Sequence, residues 1–150
     1  MASEVMDGNC NCYFENMYWK VRCLIALKKM PKAKVLIAQA TIQAQDAGYN
    51  HYVLGFESLL HMINISDNES IEFIEQTTIP YLIDVHEYYK ALDYCDLLEN
   101  VYKKRGKGYK IRILEMSSVV RRILENIAMG DVSREEVLGD ESIYNNIDYI

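Results

Sequence analysis

The sequence predicts an all-α fold of six helices arranged as three antiparallel hairpins, and three observations lead to it. Apolar residues recur three and four positions apart through most of the chain, which is the spacing of one helix face. The 150 residues include only seven Gly and two Pro, so turns are few and elements are long. The β-branched run at 77–79 has no neighbouring segment that would pair with it as a strand.

The first hairpin is predicted over residues 12–48. Its first helix carries Phe14, Tyr18 and Val21 on one face, and the lysines of KKMPK suit the negative end of that helix. A second helix follows from Pro31, which the first turn of a helix tolerates. Gly48 is the expected C-cap of this second helix.

The second hairpin is predicted over residues 50–84. Its first helix covers about 50–64, and the polar stretch SDNES interrupts the chain and offers caps for a helix that begins near Asn68. Pro80 removes a backbone donor, so we expect it to kink or end that helix.

The third hairpin is predicted over residues 85–129, from a fifth helix at about 81–105 and a sixth at about 108–129. The basic, glycine-containing stretch KKRGKG is typical of a helix C-terminus. Residues 1–11 are expected to be a flexible leader and residues 12–129 a helical domain. The acidic tail, 130–150, is expected to be partly disordered or a short helix.

Each predicted hairpin is about 35 to 45 residues long, which is the length of one unit in helical-repeat proteins. One such hairpin cannot bury both of its faces and stacks on its neighbours. The alternative is a closed bundle of six helices around a single axis.

Small residues at the helix crossings strengthen the repeat interpretation. The second helix carries Ala33, Ile37 and Ala40, a small, large, small series that lets two helices approach closely. The fourth helix has a looser copy in Ser70, Ile74 and Thr77. In the third pair, Leu98 and Tyr102 suit the first helix, but Glu115 and Ser118 fit the second poorly.

With this pattern the hairpins resemble tetratricopeptide repeats, which implies a right-handed superhelical stack. The stretch IEFIEQTTIPYLIDVHEYYKALDYCDLLENVYKKRGKGYKIRILEMSSVV is also similar to the C-terminal repeats of bacterial peptide-sensing regulators, the Rap-type phosphatases and the repeat-containing transcription regulators. That resemblance implies a regulatory or sensor module. We do not expect the N-terminal effector domain of those regulators within these 150 residues.

Enzymatic and metal chemistry are not predicted. The sequence has no phosphate-binding loop and no Gly-x-Ser-x-Gly motif. The Cys10/Cys12 pair lacks the second pair of ligands that a zinc site needs, so we expect free thiols, no metal and no cofactor. A net charge of -6 disfavours nucleic acid as a partner. Without a membrane span or secretory signal in the sequence, the expected location is the cytoplasm.

The chain has twelve tyrosines but only three Phe and one Trp, which indicates contact surfaces that are partly exposed to solvent. We therefore predict a groove for a protein or peptide along the first helices of the hairpins. Its predicted residues are Gln43, Asn50, Tyr52, His61, Tyr88, Tyr89 and Tyr94. A basic rim that orients an acidic partner is predicted at Lys103, Lys104, Arg105 and Lys107. The alternative function is a self-associating structural module, a homodimer formed through exposed faces of terminal hairpins.

Overall fold

The computed structural model describes residues 2–105 and 111–129, and within them it contains helices and turns but no strand. The helices are α1 (Ala2–Ala26), α2 (Met30–Ala47), α3 (Asn50–Ile63), α4 (Asn68–Phe73), a π-helical segment (Ile74–Thr78), α5 (Ile79–Asp84), α6 (Tyr88–Lys104) and α7 (Ile111–Met129). If the uninterrupted helical run 68–84 is counted once, the described part of the chain has six helices. The all-α prediction is confirmed.

The chain divides into two compact units, Met1–Phe73 and Ile74–Ile150. In the first unit α1 packs on α2 and on α3, and α2 packs on α3. In the second unit α6 packs on α7, on α5 and on the π-helical segment. The predicted first and third hairpins therefore each lie within one unit, whereas the predicted second hairpin, 50–84, crosses the division.

Three turns between helices share one backbone geometry. Each has a residue in the left-handed region, at Lys28 (φ 64°), Gly48 (φ 76°) and His86 (φ 64°). The amide of that residue donates to the carbonyl three residues earlier, at 3.0–3.1 Å, and the next amide donates to the carbonyl five residues earlier, at 2.8–2.9 Å. This is the Schellman pattern, which satisfies the last carbonyls of a helix and reverses the chain at once. The next helix begins two residues after each left-handed residue.

Buried positions recur with a period of 38 residues. His86 stands 38 positions after Gly48, and the buried residues of α2 have buried counterparts at the same interval, in the pairs Ala33/Ile71, Ile37/Glu75, Ala40/Thr78 and Ala44/Leu82. The buried residues of α1 and α3 match in the same way, in the pairs Phe14/Tyr52, Tyr18/Phe56, Val21/Leu59 and Leu24/Met62. An interval shared by several pairs of buried positions is typical of helical repeats.

The π-helical segment corrects one part of the predicted pattern. Thr77 was expected to be a small residue at a helix crossing, but it is exposed, and Thr78 is buried in its place. The cause is Pro80, whose missing N–H leaves the carbonyl of Gln76 without its α-helical donor. In π-helical bonding a carbonyl accepts from the amide five residues later instead of four. The next buried position therefore falls one residue later in the sequence.

Two helix boundaries also differ from the predictions. The backbone is helical from Ala2, so α1 includes residues 2–11 of the stretch that we expected to be a leader, since only Gly8 among them strongly opposes a helix. The fifth predicted helix was placed at 81–105, but a turn at His86 divides it, and α6 begins at Tyr88. The predicted tail, 130–150, lies outside the described residues.

The shared turn makes a testable prediction at Lys28. A side chain with Cβ is strained at φ 64°, whereas Gly is not. We expect Lys28→Gly to raise the free energy of unfolding by about 0.5–1 kcal/mol. Gly48→Ala, the reverse change in the matching turn, is expected to lower it by about 1 kcal/mol, although no atom crowds the new methyl group. Urea unfolding of both variants checks this, and a loss of stability in Lys28→Gly would contradict it.

Candidate binding surface

A hydrogen-bonded cluster joins α1 and α3. The carboxylate of Glu15 accepts a hydrogen bond from Trp19 Nε1 at 2.8 Å and another from the Tyr52 hydroxyl at 2.9 Å. Glu15 and Trp19 are one helical turn apart on α1, while Tyr52 lies in the first turn of α3. Trp19 keeps 38% of its surface exposed. We call these three residues the α1–α3 cluster.

Aromatic packing beneath the cluster fixes its geometry. The ring of Phe14, fully buried, stacks on Tyr52 with centroids 5.5 Å apart. It also contacts the rings of Tyr13, Tyr49 and Phe56 at 5.2–6.4 Å. Because Tyr52 is held through its ring, its hydroxyl has one defined direction toward Glu15.

The other predicted groove residues of the first unit take no part in the two hydrogen bonds of the cluster. Gln43, exposed on α2, accepts a hydrogen bond from the Tyr13 hydroxyl at 2.7 Å. Asn50 is exposed at the start of α3. His61, near the end of α3, stacks on Phe73 at 4.3 Å, and its Nδ1 lies 2.7 Å from the Ser70 hydroxyl. These contacts fasten α3 to α4.

In the second unit the structure corrects two of the predicted groove tyrosines. Tyr94 is 1% exposed and Tyr88 is 5% exposed, so their rings belong to the core and offer no face to a ligand. The Tyr88 hydroxyl lies 2.7 Å from His86 Nδ1 and ties the turn to α6, and burial raises the pKa of Tyr88. Tyr89 is 62% exposed, as a surface residue of a groove must be. The spacing of the tyrosines in the sequence does not distinguish the buried Tyr88 and Tyr94 from the exposed Tyr89.

The described residues of the predicted basic rim lie at the C-terminal end of α6. Lys103 and Lys104 are exposed in the last turn, and Arg105 is exposed at the C-cap. Cations there are stabilised by the negative end of the helix dipole. Lys107 lies outside the described residues.

The thiols of the described residues differ in their reactivity. Cys12 and Cys23 are exposed on α1, whereas Cys95 is buried in α6. Burial, with smaller contributions from Glu99 and Asp96, raises the pKa of Cys95 to about 12. Cys95 therefore stays a protonated, unreactive thiol at neutral pH. In the part of the chain that the structure describes, no three His, Cys, Asp or Glu side chains are grouped as metal ligands.

A buried carboxyl group lies in the π-helical segment. Glu75 is 6% exposed, and its Oε1 accepts a hydrogen bond from the Tyr102 hydroxyl of α6 at 3.1 Å. In α7, where Glu115 and Ser118 fit the predicted small, large, small series poorly, the small residue that is buried is Ser117. Neither Glu75 nor Ser117 was singled out from the sequence.

Sequence reasoning also missed Glu15 and Trp19. The available signal was their spacing of four residues on a helix, together with the presence of a single Trp in the chain. The contact with Tyr52 spans 37 residues of sequence, and no local pattern predicts it.

Among the described residues, none of the helices combines the length and the apolar character that crossing a membrane requires. Comparisons of the chain with protein-family models, with curated proteins and with solved structures found no match.

Proposed function

We propose that this chain is a non-catalytic helical-repeat module that binds a protein or peptide in the cytoplasm. The observation that supports it most is the 38-residue recurrence of buried positions, because the two-helix units of helical-repeat proteins recur at intervals of about 34 to 47 residues. By its resemblance to peptide-sensing regulators, the module serves as the regulatory or sensor part of a bacterial signalling or transcription regulator.

The α1–α3 cluster is the proposed centre of the binding surface. In helical repeats the first helices of successive hairpins line the inner face, and α1 and α3 are such a pair that pack on each other. Trp19 offers a partly exposed ring whose orientation the Glu15 carboxylate fixes. Trp is one of the residue types that dominate binding energy in interfaces.

The proposed mechanism is a population shift without chemistry. A peptide that contacts both α1 and α3 stabilises one arrangement of the two helices relative to others. Exposed cations at Lys103, Lys104 and Arg105 favour acidic partners and increase their rate of association.

Peptide selection tests this proposal. A random displayed library is panned against the full chain, and a selected peptide is titrated calorimetrically. We expect Trp19→Ala to weaken binding by at least about tenfold, since truncated hot-spot Trp residues cost about 2 kcal/mol or more. The matched control is Ile42→Ala on α2, another exposed large apolar residue, which should leave affinity unchanged.

The proposal is overturned if no selected peptide binds saturably, or if Trp19→Ala binds as tightly as the unaltered chain. Urea unfolding of both variants is run alongside, so that a loss of affinity is not confused with a loss of fold.

A further inference from the structure

Gly55 lies in the interior of α3, where glycine is unfavourable. Relative to alanine, a glycine inside a helix lowers the folding equilibrium constant roughly two- to fivefold, because its backbone loses more freedom on folding. The helix extends from Asn50 to Ile63, so Gly55 caps neither end. It also lacks the positive φ that favours glycine at Gly48. The local backbone therefore gives no reason for glycine at this position.

The packing of the chain does not require glycine at position 55 either. Among the described residues, the nearest atoms to a Cβ added there belong to the Tyr18 ring of α1, at 3.6 and 3.8 Å, which is ordinary van der Waals contact. The positions 38 residues before and after, at the interval of the repeat, carry the partly exposed side chains of Met17 and Asp93. Alanine would therefore fit at Gly55 and would favour the helix.

Gly55 adjoins the α1–α3 cluster. Tyr52 lies three residues before Gly55 on α3 and donates its hydroxyl to Glu15. Tyr18, which a Cβ at Gly55 would contact, packs edge to face on Trp19 with ring centroids 5.2 Å apart. Gly55 itself is partly exposed. Without a side chain at this point, the backbone of α3 is open to close approach by a bound molecule.

The surroundings of Trp19 favour an apolar group in that molecule. The only hydrogen-bond donor of an indole ring is Nε1, and that of Trp19 donates to Glu15 at 2.8 Å. An apolar side chain that covers the exposed part of the ring therefore displaces no hydrogen bond of the indole. The Glu15 carboxylate disfavours an anion here, and Lys20, the next residue of α1 and also exposed, disfavours a cation.

We propose that Gly55 is a specificity-determining residue of the binding surface. It makes room for a large apolar side chain of the bound peptide, which lies against Trp19 and over the bare backbone of α3. This inference rests on the proposed function and adds the type of side chain that the peptide supplies. It accounts for a glycine that the helix itself disfavours, and it predicts that added bulk at Gly55 stabilises the fold while it weakens binding.

Two measurements with effects of opposite sign test this inference. In Gly55→Ala we expect the midpoint of urea unfolding to rise, because alanine fits and favours the helix. Calorimetric titration uses the peptide selected against the unaltered chain. Its dissociation constant should increase at least about threefold for Gly55→Ala and at least about tenfold for Gly55→Leu, because the added side chain fills the space. The matched control is Ala38→Leu on the exposed side of α2, which should leave affinity unchanged.

Truncation of the selected peptide identifies the side chain that Gly55 accommodates. Each large apolar residue of the peptide is replaced by alanine in turn. We expect one replacement to weaken binding to the unaltered chain at least about tenfold, and to have a much smaller effect on binding to Gly55→Leu. A double-mutant cycle over the two changes measures this coupling.

Equal affinities of Gly55→Leu and the unaltered chain would overturn the inference, and so would a peptide whose essential side chains are all charged. A lower urea midpoint for Gly55→Ala would also overturn it, because packing would then require the glycine. If Trp19→Ala weakens binding and Gly55→Leu does not, the surface binds a peptide and only the role of Gly55 is wrong. If no peptide is selected, both the proposed function and this inference are wrong.

Discussion

Phe14→Ala is expected to lower the free energy of unfolding by about 3–5 kcal/mol, the range for truncating a fully buried aromatic ring. Phe14 has no exposed surface, and its ring contacts four other aromatic rings from α1, α3 and the turn before α3. Removing it leaves a cavity between α1 and α3, where Tyr52 loses its stacking partner. Urea unfolding, followed by far-ultraviolet circular dichroism, measures the change.

The matched control for Phe14→Ala is Leu27→Ala just after α1, because Leu27 is also large and apolar but 64% exposed. It should change the free energy of unfolding by no more than about 0.5 kcal/mol. A loss below about 1 kcal/mol for Phe14→Ala would show that α1 and α3 do not pack through this ring.

Tyr102→Phe is expected to cost about 1.5–3 kcal/mol, since it deletes a hydrogen bond to a buried carboxyl group while it keeps the ring. The Tyr102 hydroxyl donates to Glu75, and both residues are 6% exposed. This contact fastens the π-helical segment to α6, so its loss should destabilise the second unit.

Tyr89→Phe is the control for Tyr102→Phe, because Tyr89 is exposed on the same helix. Its effect should stay within about 0.5 kcal/mol. Equal effects of the two changes would contradict the assigned role of the Tyr102 hydroxyl. A double variant with Glu75→Gln then measures how strongly the two side chains are coupled.

Most of the helices followed from the sequence because their signals are local. Apolar spacing identified the core face of α1, and Gly48 identified the end of α2. The start of α6 was missed because the turn before it has His86 in the left-handed conformation, which is uncommon for any residue other than glycine. Similarly, the buried position predicted at Thr77 lies at Thr78 because of the π-helical segment. A prediction that assumes a constant 3.6-residue period does not allow for this change.

The candidate surface was less predictable than the fold. Tyr52, Tyr88 and Tyr94 were grouped by residue type, yet the structure buries all three rings. Their burial depends on which helices pack together, and Tyr has both an apolar ring and a polar hydroxyl that suit core and surface alike. Glu15 gains its importance only from a contact between α1 and α3.

Chemical-shift mapping by nuclear magnetic resonance tests most directly whether the first helices of the hairpins form the binding face. A selected peptide is titrated into isotope-labelled chain. The expected result is a set of shifted amide signals concentrated on α1 and α3 around Glu15 and Tyr52, together with the Trp19 indole signal. Shifts concentrated on the exposed side of α2, around Val35 and Ile42, would contradict the proposed binding face.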